Sequence, residues 1–423
     1  MQLSGGSEAT GGPRTPLRSG ARPKKLAWRL PASLETGLCL VALLFLPLLV
    51  VVPRGIAALA TVAMVIGAGL ALSQDRRLIL SDIATVPAAL FAALMVWGLL
   101  SALWSPDPLH TLPRAAKVTL LAVAAMAMGS AGLISAPRRL ASFLLAGFII
   151  ALPTATVDLA LGGAISKPFS DRVYQPAWLN QVSVTFAILL LPTSAMLIEA
   201  GYRRSGLLFA AATAGTVFAL VGTAAKVALA CGLPIALLCY YRRAAITGIA
   251  AVLSVLVIVT APLTFARIDH WAGFVHTADS VKLSAGHRLL IWSFVGDRIA
   301  EHPLRGWGLD SSRSIPGGSD PIRPNETWLP LHPHNAALQI WLELGVPGAV
   351  LFGLLGGWFW LAVGRADWPR LYAAGACGSL ATAFVASAAT YGIWQEWWQG
   401  TLAISLFMVL IMARVAMAGV ERR

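Results

Sequence analysis

The sequence has 423 residues, of which 57% are hydrophobic and only 12% are charged, and its mean hydropathy is positive. These values exclude an ordinary soluble globular protein of this length and predict that lipid is the solvent for most of the chain. The formal net charge of +13 could indicate nucleic-acid binding, but the basic residues occur in pairs between apolar segments, so we predict no nucleic-acid partner.

The first 32 residues are rich in Gly, Pro, Ser and basic side chains and lack apolar periodicity, which predicts a disordered basic tail in the cytoplasm. Residues 33–423 predict a single all-α transmembrane domain of about twelve helices in the lipid bilayer, because twelve apolar stretches are long enough to cross it. These stretches are 33–52, 55–73, 83–104, 114–134, 140–162, 178–200, 205–222, 225–241, 244–264, 334–363, 371–392 and 399–418.

The positions of Lys and Arg predict the orientation of these spans. If the N-terminus is cytoplasmic, the tail is basic and each short inner connection carries two basic residues, whereas the outer connections are mostly poor in such pairs. Both termini are then predicted to be cytoplasmic in a multi-pass inner-membrane protein. The inner pairs are Arg76/Arg77, Arg138/Arg139, Arg203/Arg204, Arg242/Arg243, Arg365/Arg370 and Arg422/Arg423.

The longest connection, residues 265–333, forms a large outer loop between the ninth and tenth spans. Its stretch from Gly286 to His302, GHRLLIWSFVGDRIAEH, has apolar residues near helical spacing and predicts an amphipathic helix lying on the bundle. Pro303 and the glycines that follow end this helix. Residues 311–333 are rich in Pro, Ser and Gly, which favours a mobile lid over a packed domain.

Trp394, Trp397 and Trp398 fall at the outer ends of the last two predicted spans. Trp is enriched where membrane meets water, so this position predicts an interfacial aromatic belt. Stacking of one or two of these rings on sugar faces is the alternative.

The strongest local signal is LHPHNAALQIWLELGVPG, residues 331–348, where the loop joins the tenth span. His334 can be a general base or hydrogen-bond donor, since imidazole exchanges protons near neutral pH. A helix N-terminal cap or an interfacial histidine is the alternative for this residue. A zinc site at His332 and His334 is disfavoured because no third ligand follows at a recognisable distance, so we predict no metal.

The same helix contains a carboxylate, Glu343, nine residues after His334. At 1.5 Å per residue the two lie about 13 Å apart along the axis and on opposite sides of the helix. They cannot form a dyad. Glu343 is instead predicted to be an intramembrane structural or pathway carboxylate with its own partner, because an unpaired charge there is costly.

Basic residues on the outer side are the second signal. Lys226, within GTAAKVALACG, lies at the outer edge of the eighth span, and Arg288 lies at the start of the loop helix. A polyanionic substrate at the outer leaflet would need fixed cations, and Arg suits bidentate phosphate contact whereas Lys supplies a point charge. A solvated or snorkelling side chain is the alternative for each.

These segments occur in an order that resembles the O-antigen ligase and polymerase family of bacterial envelope enzymes. The order is a basic residue at a short outer turn, a long outer loop with GHRLLIW and EHPLRGWGLDSSR, then HPHN and finally LELGVPG. The resemblance spans roughly residues 175–400 and is specific around 286–348. The first five spans match only in hydropathy.

The resemblance implies a metal-independent membrane glycosyltransferase of GT-C-like fold, without a cofactor, that takes a glycan from undecaprenyl diphosphate on the periplasmic face of the inner membrane. His334 matches the family histidine thought to activate the acceptor hydroxyl, and Arg288 matches the loop arginine expected to bind the diphosphate. Lys226 falls where the family usually has arginine, which keeps the charge but removes the bidentate fork. We place His332, Glu343 and Trp292 among the candidate supporting residues.

We favour a ligase, whose acceptor is lipid A-core, over a polymerase, whose acceptor is another repeat unit. A protein-glycosylating relative is a third possibility. A transporter or flippase of lipid-linked glycans is the hypothesis from another class, but it should show two related halves, and the sequence shows no such similarity.

Overall fold

Helices form nearly all the regular structure of the chain, so the predicted all-α polytopic class is confirmed. The computed structural model describes residues 32–53, 55–74, 85–131, 136–169, 173–270, 273–281 and 283–422. In chain order, its helices α1 to α14 are Ala32–Val51, Gly55–Gln74, Val86–Leu100, Pro108–Ala131, Pro137–Ala160, Asn180–Glu199, Arg203–Ala219, Thr223–Val259, Ala261–Thr264, Phe274–Val281, Leu283–Glu301, Ala336–Arg365, Arg370–Ala389 and Glu396–Val420.

Each of the twelve predicted spans coincides with a helix or with half of one. By length and composition alone, eight helices in the described part of the chain could each cross a membrane. The predicted tail over residues 1–32 lies outside the described residues except for Ala32, the first residue of α1, and the inner pair Arg76/Arg77 lies outside them entirely. The described chain is therefore a multi-pass membrane protein, as its hydropathy predicts.

Helix α8 contains two predicted spans because its backbone reverses at Arg242, where φ is −137° and ψ is 49°. Before this break, Gly232 packs against Gly378 and Thr382 of α13. After it, Thr247 packs against Gly364 of α12. The two halves of α8 thus run antiparallel to α13 and α12 respectively, and both of its ends lie at the same end of the bundle.

Large apolar side chains are exposed along the outer helices, for example Val252, Leu253 and Leu256 of α8. Such a surface is suited to lipid, because a helix satisfies its own backbone groups and needs only apolar side chains on the outside. The largest buried cluster joins α1, α2, α5, α6 and α14. A second cluster lies beneath the loop and contains side chains of α8, α11 and α12.

The amphipathic loop helix is confirmed as α11, with Leu289, Ile291 and Val295 buried against the bundle. Residues 311–333, for which we predict a mobile lid and not a packed domain, are packed against the bundle. Ile315 and Leu329 of this segment are buried in the cluster beneath the loop. The segment also contains a short antiparallel hairpin, β1 (Pro321–Arg323) and β2 (Glu326–Thr327).

Helix α12 is kinked at Gly345, which has φ of 62° and ψ of −158°. Pro347 has no N–H to donate to the carbonyl of Glu343, four residues earlier, so that carbonyl needs another donor. The backbone N–H of Gly308 supplies it at 2.8 Å, and that of Trp307 donates to Leu342 at 2.8 Å. The GWG and LELGVPG motifs of the sequence are therefore in direct contact, which fixes the end of the loop on α12.

Candidate active site

His334 lies immediately before the N-cap residue of α12, and its Nε2 has no hydrogen-bond partner among the described residues. The helix cap is Asn335, whose side chain accepts from the N–H groups of Ala337 and Leu338 at 3.0 and 3.1 Å. The N-cap interpretation of His334 is therefore wrong. Its Nδ1 lies 2.7 Å from the carbonyl oxygen of Thr390, a contact that requires the proton on Nδ1. Nε2 then carries the lone pair, with no hydrogen-bond partner in the described part of the chain.

The backbone of His334 is in the left-handed region, with φ of 56°. This conformation is uncommon for a residue with a side chain and costs conformational energy. The bond to Thr390 compensates for part of this cost and fixes the orientation of the ring. The unusual backbone therefore accompanies a fixed ring orientation.

His332 supports the backbone of His334. Its Nδ1 accepts the backbone N–H of His334 at 3.1 Å, so the proton of the neutral ring is on Nε2. Nε2 lies 3.1 Å from the end of the Gln395 side-chain amide and donates to it when the amide oxygen is the atom turned towards the ring. The two imidazole rings are 4.3 Å apart. His332 thus holds the backbone of His334 and is itself oriented by Gln395.

Arg288 reaches the same place from α11. Its Nη1 donates to the carbonyl oxygen of Ala389 at 2.6 Å, one residue from the carbonyl that holds His334. Within the described residues no carboxylate is at salt-bridge distance from Arg288. A guanidinium has five N–H groups, so this one keeps donors available for an anion. Burial lowers the pKa of Arg288, and nearby Tyr391 opposes that shift.

Burial and nearby positive charge keep both histidines neutral. Burial lowers the pKa of His334 to about 4, with Arg288 and His287 acting in the same direction while the Thr390 carbonyl opposes them. Burial also lowers the pKa of His332 to about 3, together with the charges of His334, Arg313 and Arg288. His334 is therefore a neutral base at physiological pH, next to a fixed cation.

Trp292 joins α11 to residues 332–335, here termed the histidine turn. It lies one turn after Arg288 on α11, and its Nε1 donates to the carbonyl oxygen of Pro333 at 2.8 Å. On the same helix, His287 Nε2 lies 2.9 Å from the carbonyl oxygen of Thr327 in the hairpin. The loop helix thus contacts the histidine turn through Trp292 and carries the Arg288 guanidinium beside it.

Glu343 has partners of its own, as predicted, and does not contact His334. Each of its carboxylate oxygens accepts two hydrogen bonds. The donors are the backbone N–H of Asp310 at 2.6 Å, the Ser312 hydroxyl at 2.5 Å, Gln339 Nε2 at 3.0 Å and Trp394 Nε1 at 2.5 Å. The side chain is fully buried and ties α12 to the loop and to the segment before α14.

That segment, residues 389–396, is here termed the carbonyl turn, and no motif in the sequence indicates its role. It supplies the carbonyls that hold Arg288 and His334 and the amide that faces His332. The Gln339 side chain accepts the N–H of Ile393 at 2.9 Å, and Arg114 and Lys117 pair with Glu396 at 2.5 and 2.7 Å. The nearest sequence signal is the group Trp394, Trp397 and Trp398, of which Trp394 lies in this stretch. The aromatic-belt prediction is wrong for Trp394 and Trp398, because both are buried.

Lys226 lies in the first turn of α8, half-buried, and no contact links its side chain to His334 or Arg288 in the described chain. It precedes Gly232 by six residues, or about 9 Å along the helix. Because α8 and α13 are antiparallel here, Lys226 lies level with the last turn of α13, next to the carbonyl turn. The structure thus brings Arg288, Trp292, His332 and His334 together and places Lys226 at the same end of the bundle.

Comparison with known proteins identifies the region that contains this site. Residues 188–353 match a family described as O-antigen ligase. Proteins named putative polysaccharide ligase align from Rickettsia conorii (39% identity over 134 residues), Rickettsia felis (37% over 134) and Rickettsia bellii (35% over 133). Each alignment covers 30% of this chain and 32–33% of the relative, so the match spans about a third of the length of these relatives.

Proposed function

We propose that the chain is a glycosyltransferase that joins a lipid-linked glycan to an acceptor at the membrane, because residues 188–353 match the O-antigen ligase family. The donor is a glycan on undecaprenyl diphosphate, and the acceptor is lipid A-core. The site faces the periplasm of a bacterial inner membrane, with both chain termini in the cytoplasm. The reaction uses no metal or cofactor.

The arrangement of His334 is the observation that carries this proposal. An acceptor hydroxyl must lose a proton as its oxygen attacks the anomeric carbon of the donor. Nε2 of His334 has no partner among the described residues, the Thr390 carbonyl fixes the tautomer, and burial keeps the ring neutral, so Nε2 can take that proton. The new bond joins the acceptor oxygen to the anomeric carbon, and the bond from that carbon to the diphosphate oxygen breaks.

The leaving diphosphate takes the electron pair and gains negative charge. Arg288 is fixed by Ala389 without a carboxylate partner among the described residues, so its remaining N–H groups can stabilise this charge. Lys226 is a second cation at the same end of the bundle. A diphosphate is already a good leaving group, so the protein mainly positions the two substrates, accepts one proton and neutralises charge.

The test is a transfer assay with the full-length protein in proteoliposomes that contain a purified undecaprenyl-diphosphate-linked glycan and lipid A-core. We expect His334→Ala to lower the transfer rate by about 10²- to 10⁴-fold, the usual contribution of a general base. The matched control is His276→Ala, because His276 is exposed on α10. It should transfer at the wild-type rate.

Thermal unfolding of each variant separates loss of the base from loss of the fold. A His334→Ala protein that is folded and transfers glycan at the wild-type rate would remove His334 as the base. A product in which repeat units are joined to each other, with lipid A-core left unmodified, would make the chain a polymerase. Movement of the lipid-linked glycan across the bilayer without joining would make it a transporter.

A further inference from the structure

A basic, aromatic cavity lies at the end of the bundle away from the candidate active site. It has a volume of about 250 Å³ and is lined by Tyr240, Tyr241, Arg243, Trp368 and Arg370. These residues belong to the reversal of α8 and to the turn between α12 and α13. The cavity is therefore formed where two helical hairpins turn side by side.

Both guanidiniums in this cavity are held by backbone carbonyls. Arg243 Nη1 donates to Trp368 at 3.3 Å, and Arg370 Nε donates to Tyr240. The Arg370 guanidinium also lies 4.5 Å from the centre of the Tyr240 ring. Neither arginine has a carboxylate within salt-bridge distance among the residues that the structure describes, so two fixed cations keep N–H groups for an anion.

The cavity and the active site are separated by the thickness of a bilayer. Helix α13 begins at Arg370 in the cavity and ends at Ala389, the residue that holds Arg288. Its 20 residues span about 30 Å, which is the thickness of a hydrocarbon core. Helix α12 runs between the same two ends. If these helices cross the membrane, the cavity lies at the headgroup level of the leaflet opposite the active site.

We propose that this cavity binds the phosphate group of an anionic phospholipid. A guanidinium pair suits the phosphate oxygens, and tyrosine and tryptophan rings are suited to the headgroup level because one end is polar. Leu237 and Leu238 of α8 lie one turn before the tyrosines and are 60% and 49% exposed. They offer an apolar surface to the acyl chains, which inorganic phosphate would not use.

A second cavity at the same end of the bundle is also lined by two arginines and a tyrosine. Its volume is about 400 Å³, and Arg138, Tyr202 and Arg422 line it together with apolar side chains of α5, α6 and α14. Helix α14 begins at Glu396 of the carbonyl turn and ends near Arg422, so this cavity too lies at the far end from the active site. Basic cavities between helices at one membrane face are a known mode of anionic-lipid recognition.

Native mass spectrometry of the full-length protein in detergent tests the proposal. The protein is titrated with palmitoyl-oleoyl phosphatidylglycerol and, separately, with phosphatidylcholine of the same chains. We expect phosphatidylglycerol to bind roughly tenfold more tightly, and Arg243→Gln with Arg370→Gln to remove that preference. Arg370→Lys keeps the charge without the planar fork and should lower the preference about threefold.

The matched control is Arg203→Gln with Arg204→Gln, an exposed pair in the first turn of α7 at the same end of the bundle. It should keep the preference for phosphatidylglycerol. An equal loss in this control, or an unchanged preference in the Arg243/Arg370 variant, would overturn the proposal. Displacement of phosphatidylglycerol by millimolar inorganic phosphate would assign the cavity to free phosphate instead of lipid. The readout is lipid binding, so its outcome is independent of glycan transfer.

Discussion

His334 and Arg288 are held by neighbouring carbonyl oxygens at the end of a single helix. Thr390 accepts from the His334 ring at 2.7 Å, and Ala389 accepts from the Arg288 guanidinium at 2.6 Å. The carbonyls at a helix C-terminus lack partners within the helix and carry partial negative charge, so they hold donors and cations well. The end of α13 therefore sets the spacing between the proposed base and the proposed phosphate ligand.

Replacing Arg288 by lysine tests whether the planar guanidinium is needed. Lysine keeps the positive charge but cannot bond Ala389 and hold a phosphate in a fork at the same time. We expect Arg288→Lys to lower kcat/KM for the lipid-linked donor about tenfold, mainly through a higher KM, as loss of one charge-assisted hydrogen bond predicts. Steady-state transfer kinetics with the donor varied measure this effect.

Arg267→Lys is the matched control for this change, because Arg267 is exposed in the turn that precedes α10. It should leave both kinetic constants unchanged. If Arg267→Lys raised the donor KM as much as Arg288→Lys, the effect would reflect the charge of the loop in general.

The pH dependence of transfer follows from the lowered pKa of His334, about 4. Its basic form is present above that value and is lost as the pH falls through it. Transfer at pH 5.5 should therefore stay within about twofold of the rate at pH 7.5, whereas an ordinary histidine would already be mostly protonated there. A rate that halves near pH 6.5 would show that His334 is not buried in the working enzyme.

The same pKa shifts predict a loss of stability in acid. Between about pH 6.5 and pH 4 the unfolded chain binds protons at His332 and His334 that the folded chain does not. The stabilisation is therefore complete above about pH 6.5 and declines as the pH falls towards 4. Removing both groups in His332→Gln/His334→Gln should make the unfolding temperature less dependent on pH over this interval.

Hydropathy and charge pairs predicted the helices well because both signals are local. The pair Arg242/Arg243 marked the reversal inside α8, but the predicted tenth span, 334–363, runs without interruption through the break in α12 at Gly345 and Pro347. Which donors pair with the carbonyls freed by that break was not predictable from the residues around it. The carbonyls of Leu342 and Glu343 are paired with Trp307 and Gly308, thirty-five residues earlier in the chain, and such pairing depends on tertiary structure.

The side chains of the site were predictable, whereas the carbonyl turn was not. The chemistry of an imidazole or a guanidinium group follows from the residue type alone, so His334 and Arg288 could be selected from the sequence. Ala389 and Thr390 contribute only backbone oxygens, which every residue has. Trp394 lies at a helix end, a position that predicts an interfacial ring, but its Nε1 bonds Glu343 inside the bundle.

Glu343→Gln should disturb the site without touching its proposed chemical groups. The amide nitrogen would face two of the four donors that now bond the carboxylate, and leaving buried polar groups unpaired costs roughly 1–3 kcal/mol. We expect a lower unfolding temperature and slower transfer, because Trp394, and with it the carbonyl turn, is released from Glu343 of α12. Glu301→Gln, at an exposed pair with Arg298, should change neither measurement. Equal effects in both variants would contradict a special role for Glu343.

Lys226 is a candidate diphosphate ligand only because it lies at the same end of the bundle as Arg288 and His334. Its side chain contacts neither of them in the described chain. If it binds the diphosphate, Lys226→Gln should raise the donor KM several-fold, whereas Lys226→Arg should retain or lower it, since arginine adds a fork to the same charge. Lys167→Gln is the control, because Lys167 is exposed in the connection between α5 and α6. The acceptor KM should stay constant in all three variants, because a cation that binds only the leaving diphosphate does not contact the acceptor. A parallel rise in both KM values would instead assign Lys226 to packing at the start of α8.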